Sequence, residues 1–271
     1  MINKISFLNN ISKDIRKDIV NMLFKGGSGH PGGSLSSTDI LVNLYFSGLV
    51  NINKKNYKNS NRDIIILSAG HYCPALYAVL AKKKFFNKKL LSTFRKINSP
   101  LLGHPKYLEL PGVENSGGSL GQGISLACGY ALASKRFNKN TSKVYCVMGD
   151  GEQNEGQVWE AAMFASHYEL SNLCVIVDSN KIQIDGFTKD IMNVEPLLEK
   201  YKSFNFLTKK INGHNHVEIL NAIRKFRIYN GKKPTLIIAN TTAGKGLKSI
   251  EGKVEAHGKP IEKKHLKEIA L

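Results

Sequence analysis

Two short apolar runs, Val144-Tyr-Cys-Val-Met148 and Leu173-Cys-Val-Ile-Val177, constrain this chain more than any other feature. Each is strand length, rich in Val and Ile, and bounded by turn-forming residues, so each reads as a buried strand. Between them, Gln157 to Tyr168 has helical spacing. Uninterrupted apolar strands separated by a helix imply a parallel sheet buried on both faces, because a parallel crossover lays its helix on the sheet.

The rest of the chain continues this pattern. Asp63 to Leu67, Phe204 to Ile211 and Thr235 to Ala239 read as further strands. Helices are predicted over Ile11 to Phe24, with Ser12 as N-cap and Gly26-Gly27 as the stop, and over Thr38 to Phe46, Ala75 to Ala81, Gly123 to Lys135 and Val217 to Phe226. A Gly-rich loop is expected through His30 and Gly33, and a long loop from Pro100 to Gly121. The expected architecture is α/β, a mostly parallel sheet with helices on both faces, in a single domain over residues 1–271 without internal repeat or linker.

The formal charge of +18, from 39 basic and 21 acidic residues, raises nucleic acid or an anionic membrane as partners. The lysines are scattered and do not alternate with aromatics in a stripe, so the expectation is no nucleic acid and no membrane. Cys73, Cys128, Cys146 and Cys174 form no CxxC, which argues against a zinc or redox pair. The apolar residues near the N-terminus are broken by Asn, Lys and Asp, and no apolar stretch reaches the roughly 18 residues of a membrane span. A cytoplasmic protein is expected.

The first apolar run leads into Gly149-Asp150-Gly151, and the second ends at Asp178-Ser179-Asn180. Glycines there let the chain leave the strand sharply and bring backbone N–H groups close to an anion. If the strands are neighbours, Asp150 and Asn180 project into one crevice at the carboxyl edge of the sheet, where α/β folds bind ligands. Two side-chain oxygens, a backbone carbonyl and diphosphate oxygens would complete an octahedral Mg²⁺ shell. Alone, Gly-Asp-Gly is an ordinary β–α turn; its position between strand and helix, with Asn180 after the next strand, gives it weight.

These residues resemble the thiamine diphosphate motif in its transketolase form. Gly29-His-Pro-Gly32, Gly70-His71, Gly103-His-Pro105, Ser119-Leu-Gly-Gln-Gly123 and Ala256-His-Gly258 resemble transketolase signatures in the family's order, over about Ile11 to Lys259. The resemblance implies a thiamine-diphosphate-binding fold of the diphosphate-binding type. It implies Mg²⁺, replaceable by Ca²⁺ or Mn²⁺, held by Asp150, Asn180 and the Ile182 carbonyl. Gly151 would meet the diphosphate through its N–H, and Gly118 and Leu120 would lie against the aminopyrimidine ring. Glu155 would belong to a carboxylate network through which subunits associate.

Eight histidines are present, and four adjoin Gly or Pro in loops: His30, His71, His104 and His257. A loop histidine beside glycine reaches a ligand with little hindrance and exchanges protons near neutral pH. The resemblance gives His30 and His257 contacts to the donor oxygens, His71 a place by the diphosphate and the reacting carbon, and His104 a substrate hydroxyl. His167, His214, His216 and His265 lie in no motif and are expected to be structural.

The implied activity is that of a transferase of pentose phosphate metabolism, moving a two-carbon ketol unit from a ketose to an aldose. In the family a glutamate on a pyrimidine-binding domain activates the cofactor, and nothing here resembles that domain or the C-terminal one. The resemblance therefore implies a separate C-terminal subunit, in an α₂β₂ heterotetramer with sites at the interfaces. A truncated piece of a full-length enzyme would read the same. Ala69 and Ala243 stand where many relatives carry lysine near the diphosphate, with Lys245 as a candidate substitute, and Ser119 stands where many have proline. The rival readings are another thiamine enzyme such as 1-deoxyxylulose 5-phosphate synthase, a non-catalytic paralogue, and a nucleic-acid binder.

Overall fold

The computed structural model describes residues 2–137 and 142–270. Its elements in chain order are α1 Ile2–Gly26, α2 Pro31–Ser36, α3 Thr38–Phe46, β1 Ile64–Leu67, α4 Cys73–Lys82, α5 Gln122–Arg136, β2 Val144–Gly149, α6 Gly156–His167, β3 Leu173–Ser179, β4 Ile182–Gln183, β5 Gly186–Phe187, α7 Thr188–Ile191, α8 Leu197–Ser203, β6 Leu207–Asn212, α9 His216–Ile228, β7 Thr235–Asn240 and α10 Lys263–Ala270. Five strands make one parallel sheet in the order β1-β2-β3-β7-β6, and β4 and β5 form a small antiparallel hairpin.

Every residue of β2 and β3 is buried, as expected of central parallel strands whose two faces are both covered. Alternate side chains serve the two layers. Tyr145, Val147, Cys174 and Ile176 pack with α1, α3, α4 and α9, while Val144, Cys146, Val175 and Val177 pack with α5, α6 and α8. All four cysteines are free and buried. The edge strand β6 is largely exposed, and Lys209 and Lys210 give it charges that discourage pairing with another strand.

Two local expectations need correction, and one helix has no counterpart among them. Ser12 is not an N-cap: α1 begins ten residues earlier, and Ser12 lies buried inside it, 3.4 Å from Nε2 of His216. The segment after Gly29 is not simply a loop. Pro31 sits in the first turn of α2, where its fixed φ and missing N–H cost nothing. Helix α8, with Leu197 and Tyr201 buried, is too short for its periodicity to stand out. No helix among the described residues is long and apolar enough to cross a membrane.

Candidate active site

All five parallel strands end on one side of the sheet, and the loops beyond them enclose a cavity of about 1040 Å³. His30, His71, His104, Gly118, Leu120, Asp150, Gly151, Ile182 and His257 all line it. Asn180 lies buried directly behind this lining. Residues from seven separated stretches of sequence thus meet at one place.

The strand register brings together Asp150 and Asn180, the two side chains expected to hold a metal. Gly149 of β2 is paired with Asp178 of β3, so Asp150 and Asn180 leave neighbouring strand ends. Asp150 accepts hydrogen bonds from the backbone N–H of Gly151 at 2.9 Å and of Lys181 at 2.7 Å. The second bond ties Asp150 to the residue next to Asn180. The Asn180 side-chain oxygen accepts from the Ile182 N–H at 3.0 Å, which brings the third expected ligand residue into the same turn. Burial, reinforced by the nearby Asp178 carboxylate, pushes the Asp150 carboxyl up to about 7. The carboxyl of Asp178 is raised too, by burial. Two buried carboxylates whose hydrogen bonds come from neutral donors make a site short of positive charge, and a divalent cation fits it.

Close backbone contacts draw the histidine loops together. A Cβ on Gly32 would lie 2.8 Å from the Ala256 carbonyl oxygen and 3.2 Å from the Cα of His257, so only glycine lets the two loops touch. A Cβ on Gly70 would lie 2.9 Å from the Gly118 nitrogen, so the His71 turn backs directly onto the loop of Gly118 and Leu120. The ring centroid of His30 is 5.2 Å from that of His71, 5.6 Å from His257 and 6.4 Å from His104. Nδ1 of His30 is buried without a hydrogen-bond partner, which leaves it for a ligand hydroxyl.

Burial, and then the other histidines, lower His71 from 6.5 to about 3; burial and then His257 lower His30 to about 4. Neutral imidazoles can accept or donate a proton at neutral pH. The unfolded chain binds a proton at His71 below pH 6.5 and the folded chain does so only near pH 3, so this contribution to stability is present above 6.5 and lost as pH falls toward 3. The raised Asp150 acts with the opposite slope between its ordinary 3.8 and about 7. Comparison with a variant isolates the histidine. His71→Asn is expected to narrow the stability lost between neutral pH and about pH 4.5 by about 1–3 kcal/mol, measured by urea unfolding at each pH.

Two participants had no signal in sequence. Glu152 is a third buried carboxylate of this region. It accepts hydrogen bonds from the Ser68 hydroxyl, from the Gly121 N–H at 2.8 Å and from the Gly149 N–H at 3.0 Å. Glu155 instead stands exposed at the start of α6, on the cavity wall. Tyr72 is the second: its hydroxyl accepts from Nδ2 of Asn180 at 3.1 Å. Acid–amide spacing and glycine-flanked histidines could be seen in sequence; a lone Glu or Tyr could not.

Ala69 and Ala243 are both buried, and Ala243 packs with Ile182 and Ala256 in a small apolar cluster. The ammonium group of Lys245 is held by Glu251 at 2.7 Å and does not line the cavity. His214 and His216 belong to a buried polar network: Nδ1 of His214 lies 2.8 Å from Asp39, and Nδ1 of His216 lies 2.7 Å from Asn43.

Comparison with known proteins agrees with this geometry. Residues 8–270 match the family described as "Transketolase, thiamine diphosphate binding domain". A 6-deoxy-6-sulfo-D-fructose transketolase subunit from Clostridium sp. (strain MSTE9) is 42% identical over 243 residues, covering 90% of this chain and 87% of the relative. An apulose-4-phosphate transketolase subunit from Phocaeicola vulgatus is 38% identical, with 91% and 86% covered. The crystal structure of transketolase from Campylobacter jejuni superposes with a TM-score of 0.91 at 34% identity, over 98% of this chain and 42% of that one. The chain therefore spans about two fifths of such a full-length enzyme and nearly the whole of the relatives named as subunits. Its fold, its cavity and these matches together show that the chain belongs to the transketolase family, as the thiamine diphosphate binding domain.

Proposed function

We propose that this chain, as a single domain over residues 1–271, is the diphosphate-binding subunit of a two-subunit transketolase, a transferase that moves a two-carbon ketol unit from a ketose to an aldose. The observation that carries the reading is the meeting of the Asp150–Asn180 turn with four loop histidines in one cavity. The two relatives named as subunits, each nearly covered by this chain, support a partner chain.

In this reading Asp150, Asn180 and the Ile182 carbonyl hold Mg²⁺, and Ca²⁺ or Mn²⁺ can replace it. The Gly151 N–H meets the diphosphate, while Gly118 and Leu120 lie against the aminopyrimidine ring. Bound thiamine diphosphate supplies the electron sink that lets a carbon–carbon bond beside a ketose carbonyl break. The chain's own residues supply binding and proton handling. His30 and His257, 5.6 Å apart, orient the donor hydroxyls and take or return protons at those oxygens. His71 lies beside the diphosphate and the reacting carbon, and His104 holds a hydroxyl at the outer side. Lys259 lines the cavity, whereas Lys245 does not.

The partner is a C-terminal, pyrimidine-binding subunit that brings the activating glutamate. The assembly is an α₂β₂ heterotetramer whose copies of this chain associate near Glu155 and α6. A cytoplasmic location fits a charged, membrane-impermeant cofactor. Co-expression of this chain with a pyrimidine-domain partner should restore ketol transfer that neither chain performs alone, by at least about a hundredfold over either chain, as expected when an activating acid is supplied. Turnover by this chain alone would overturn the two-subunit reading. Condensation of pyruvate with glyceraldehyde 3-phosphate, in place of ketol transfer, would assign it to the rival thiamine enzyme.

A further inference from the structure

Behind the cavity, at the end of β3, lies a side chain that does not itself line it. Asp178 is wholly buried. Its carboxylate accepts three hydrogen bonds: from the Ser36 hydroxyl at 2.6 Å, the Thr241 hydroxyl at 2.6 Å and Nδ2 of Asn180 at 3.0 Å. These donors come from α2, from the residue after β7 and from the turn after β3. Three separate parts of the fold converge on one carboxylate.

The chemistry of that contact settles how Asn180 is turned. A carboxylate only accepts, so the atom of Asn180 facing it must be the amide nitrogen. The same nitrogen also lies 3.1 Å from the Tyr72 hydroxyl and 3.3 Å from the Ser36 hydroxyl. The amide oxygen is thereby left on the opposite side, toward the Asp150 turn, where it meets the Ile182 N–H. Without Asp178 the flipped amide would present an NH₂ group to a cation, which cannot ligate it.

We infer that Asp178 is a positioning residue that holds Asn180 oxygen-outward and places a second negative charge behind the cation site. The inference rests on the proposed ion site and concerns a residue that ligates nothing itself. Support for Asp178 reaches further into the fold. The residue after Thr241 donates its backbone N–H to Nε2 of His214 at 2.9 Å, and Nδ1 of His214 is anchored on Asp39. Asp39 is in turn paired with Arg16 of α1 at 2.6 Å. Outer-shell partners of this kind orient ligands and tune affinity.

Asp178→Asn tests it with little change of shape. If the new amide turns its oxygen toward Asn180, the charge is lost; if it turns its NH₂ group that way, Asn180 must flip. Either outcome weakens the ion site. Mn²⁺ binding in the presence of thiamine diphosphate, followed by the electron paramagnetic resonance of free Mn²⁺, is measured on the full chain alone and with its co-expressed partner. Asp178→Asn should bind Mn²⁺ about 10–100-fold more weakly than the wild type, with the melting midpoint of the metal-free protein little changed. Equal affinity in the two proteins overturns the inference and leaves the ion site standing. Failure of the wild type itself to take up Mn²⁺ defeats the site instead. A second measurement needs no variant: in the metal-free wild-type chain, the two Asn180 side-chain N–H protons should exchange slowly and show no amide rotation. Rapid exchange there would also overturn the assignment.

Discussion

Asp150→Ala is expected to abolish the stabilisation of this protein by divalent cation with thiamine diphosphate. In the wild type, Mg²⁺ with the cofactor should raise the melting midpoint, because a ligand that binds only the folded state stabilises by RT ln(1 + [L]/Kd). Removal of Asp150 takes away the carboxylate that lines the cavity where β2 and β3 end side by side. The affinity loss should be at least about a hundredfold, since a paired charge in a buried site contributes several kcal/mol. Without ligand the effect is much smaller, because burial already raises the Asp150 carboxyl to about 7 and a good part of it is neutral there. The diagnostic result is thus a variant that folds but no longer responds to cation and cofactor in thermal denaturation. A full upward shift in Asp150→Ala would remove Asp150 from the ion site.

Glu152→Ala should be the most destabilising single change near the cavity, by about 3–5 kcal/mol. The Glu152 carboxylate joins three segments: Ser68 after β1, Gly121 before α5, and Gly149 at the end of β2. Its removal leaves one hydroxyl and two backbone N–H donors buried without this acceptor, each at a cost of roughly 1–3 kcal/mol less whatever water enters the gap. The same bond set anchors the loop of Gly118 and Leu120, so cofactor affinity should fall along with stability. Urea unfolding measures the first effect and cofactor titration the second. Glu152→Gln keeps one acceptor oxygen and should lose about half as much. A loss in Glu152→Ala below about 1 kcal/mol, the worth of one ordinary hydrogen bond, would show that the carboxylate is not the anchor.

The legible parts of this chain were those whose physics is local or periodic. Strand β2 and strand β3 announced themselves as apolar runs because both faces are buried. The Gly-Asp-Gly turn and the glycine-flanked histidines stood out because glycine permits what other residues cannot. The start of α1 is not legible locally: Ser12 is a good N-cap by type, and its burial against His216, 204 residues away, is a property of the folded chain alone. Glu152 carries no local signal for the same reason: its three partners lie on separate segments.

The order of residues alone thus determined the parallel α/β class, the turn that carries Asp150, and the set of histidines able to meet a ligand. Only the tertiary structure decided which carboxylate is buried, which way Asn180 is turned, and that four histidine loops share one cavity. Periodicity and turn chemistry act between near neighbours in the chain, whereas desolvation and hydrogen-bond convergence depend on what the packed sheet brings together.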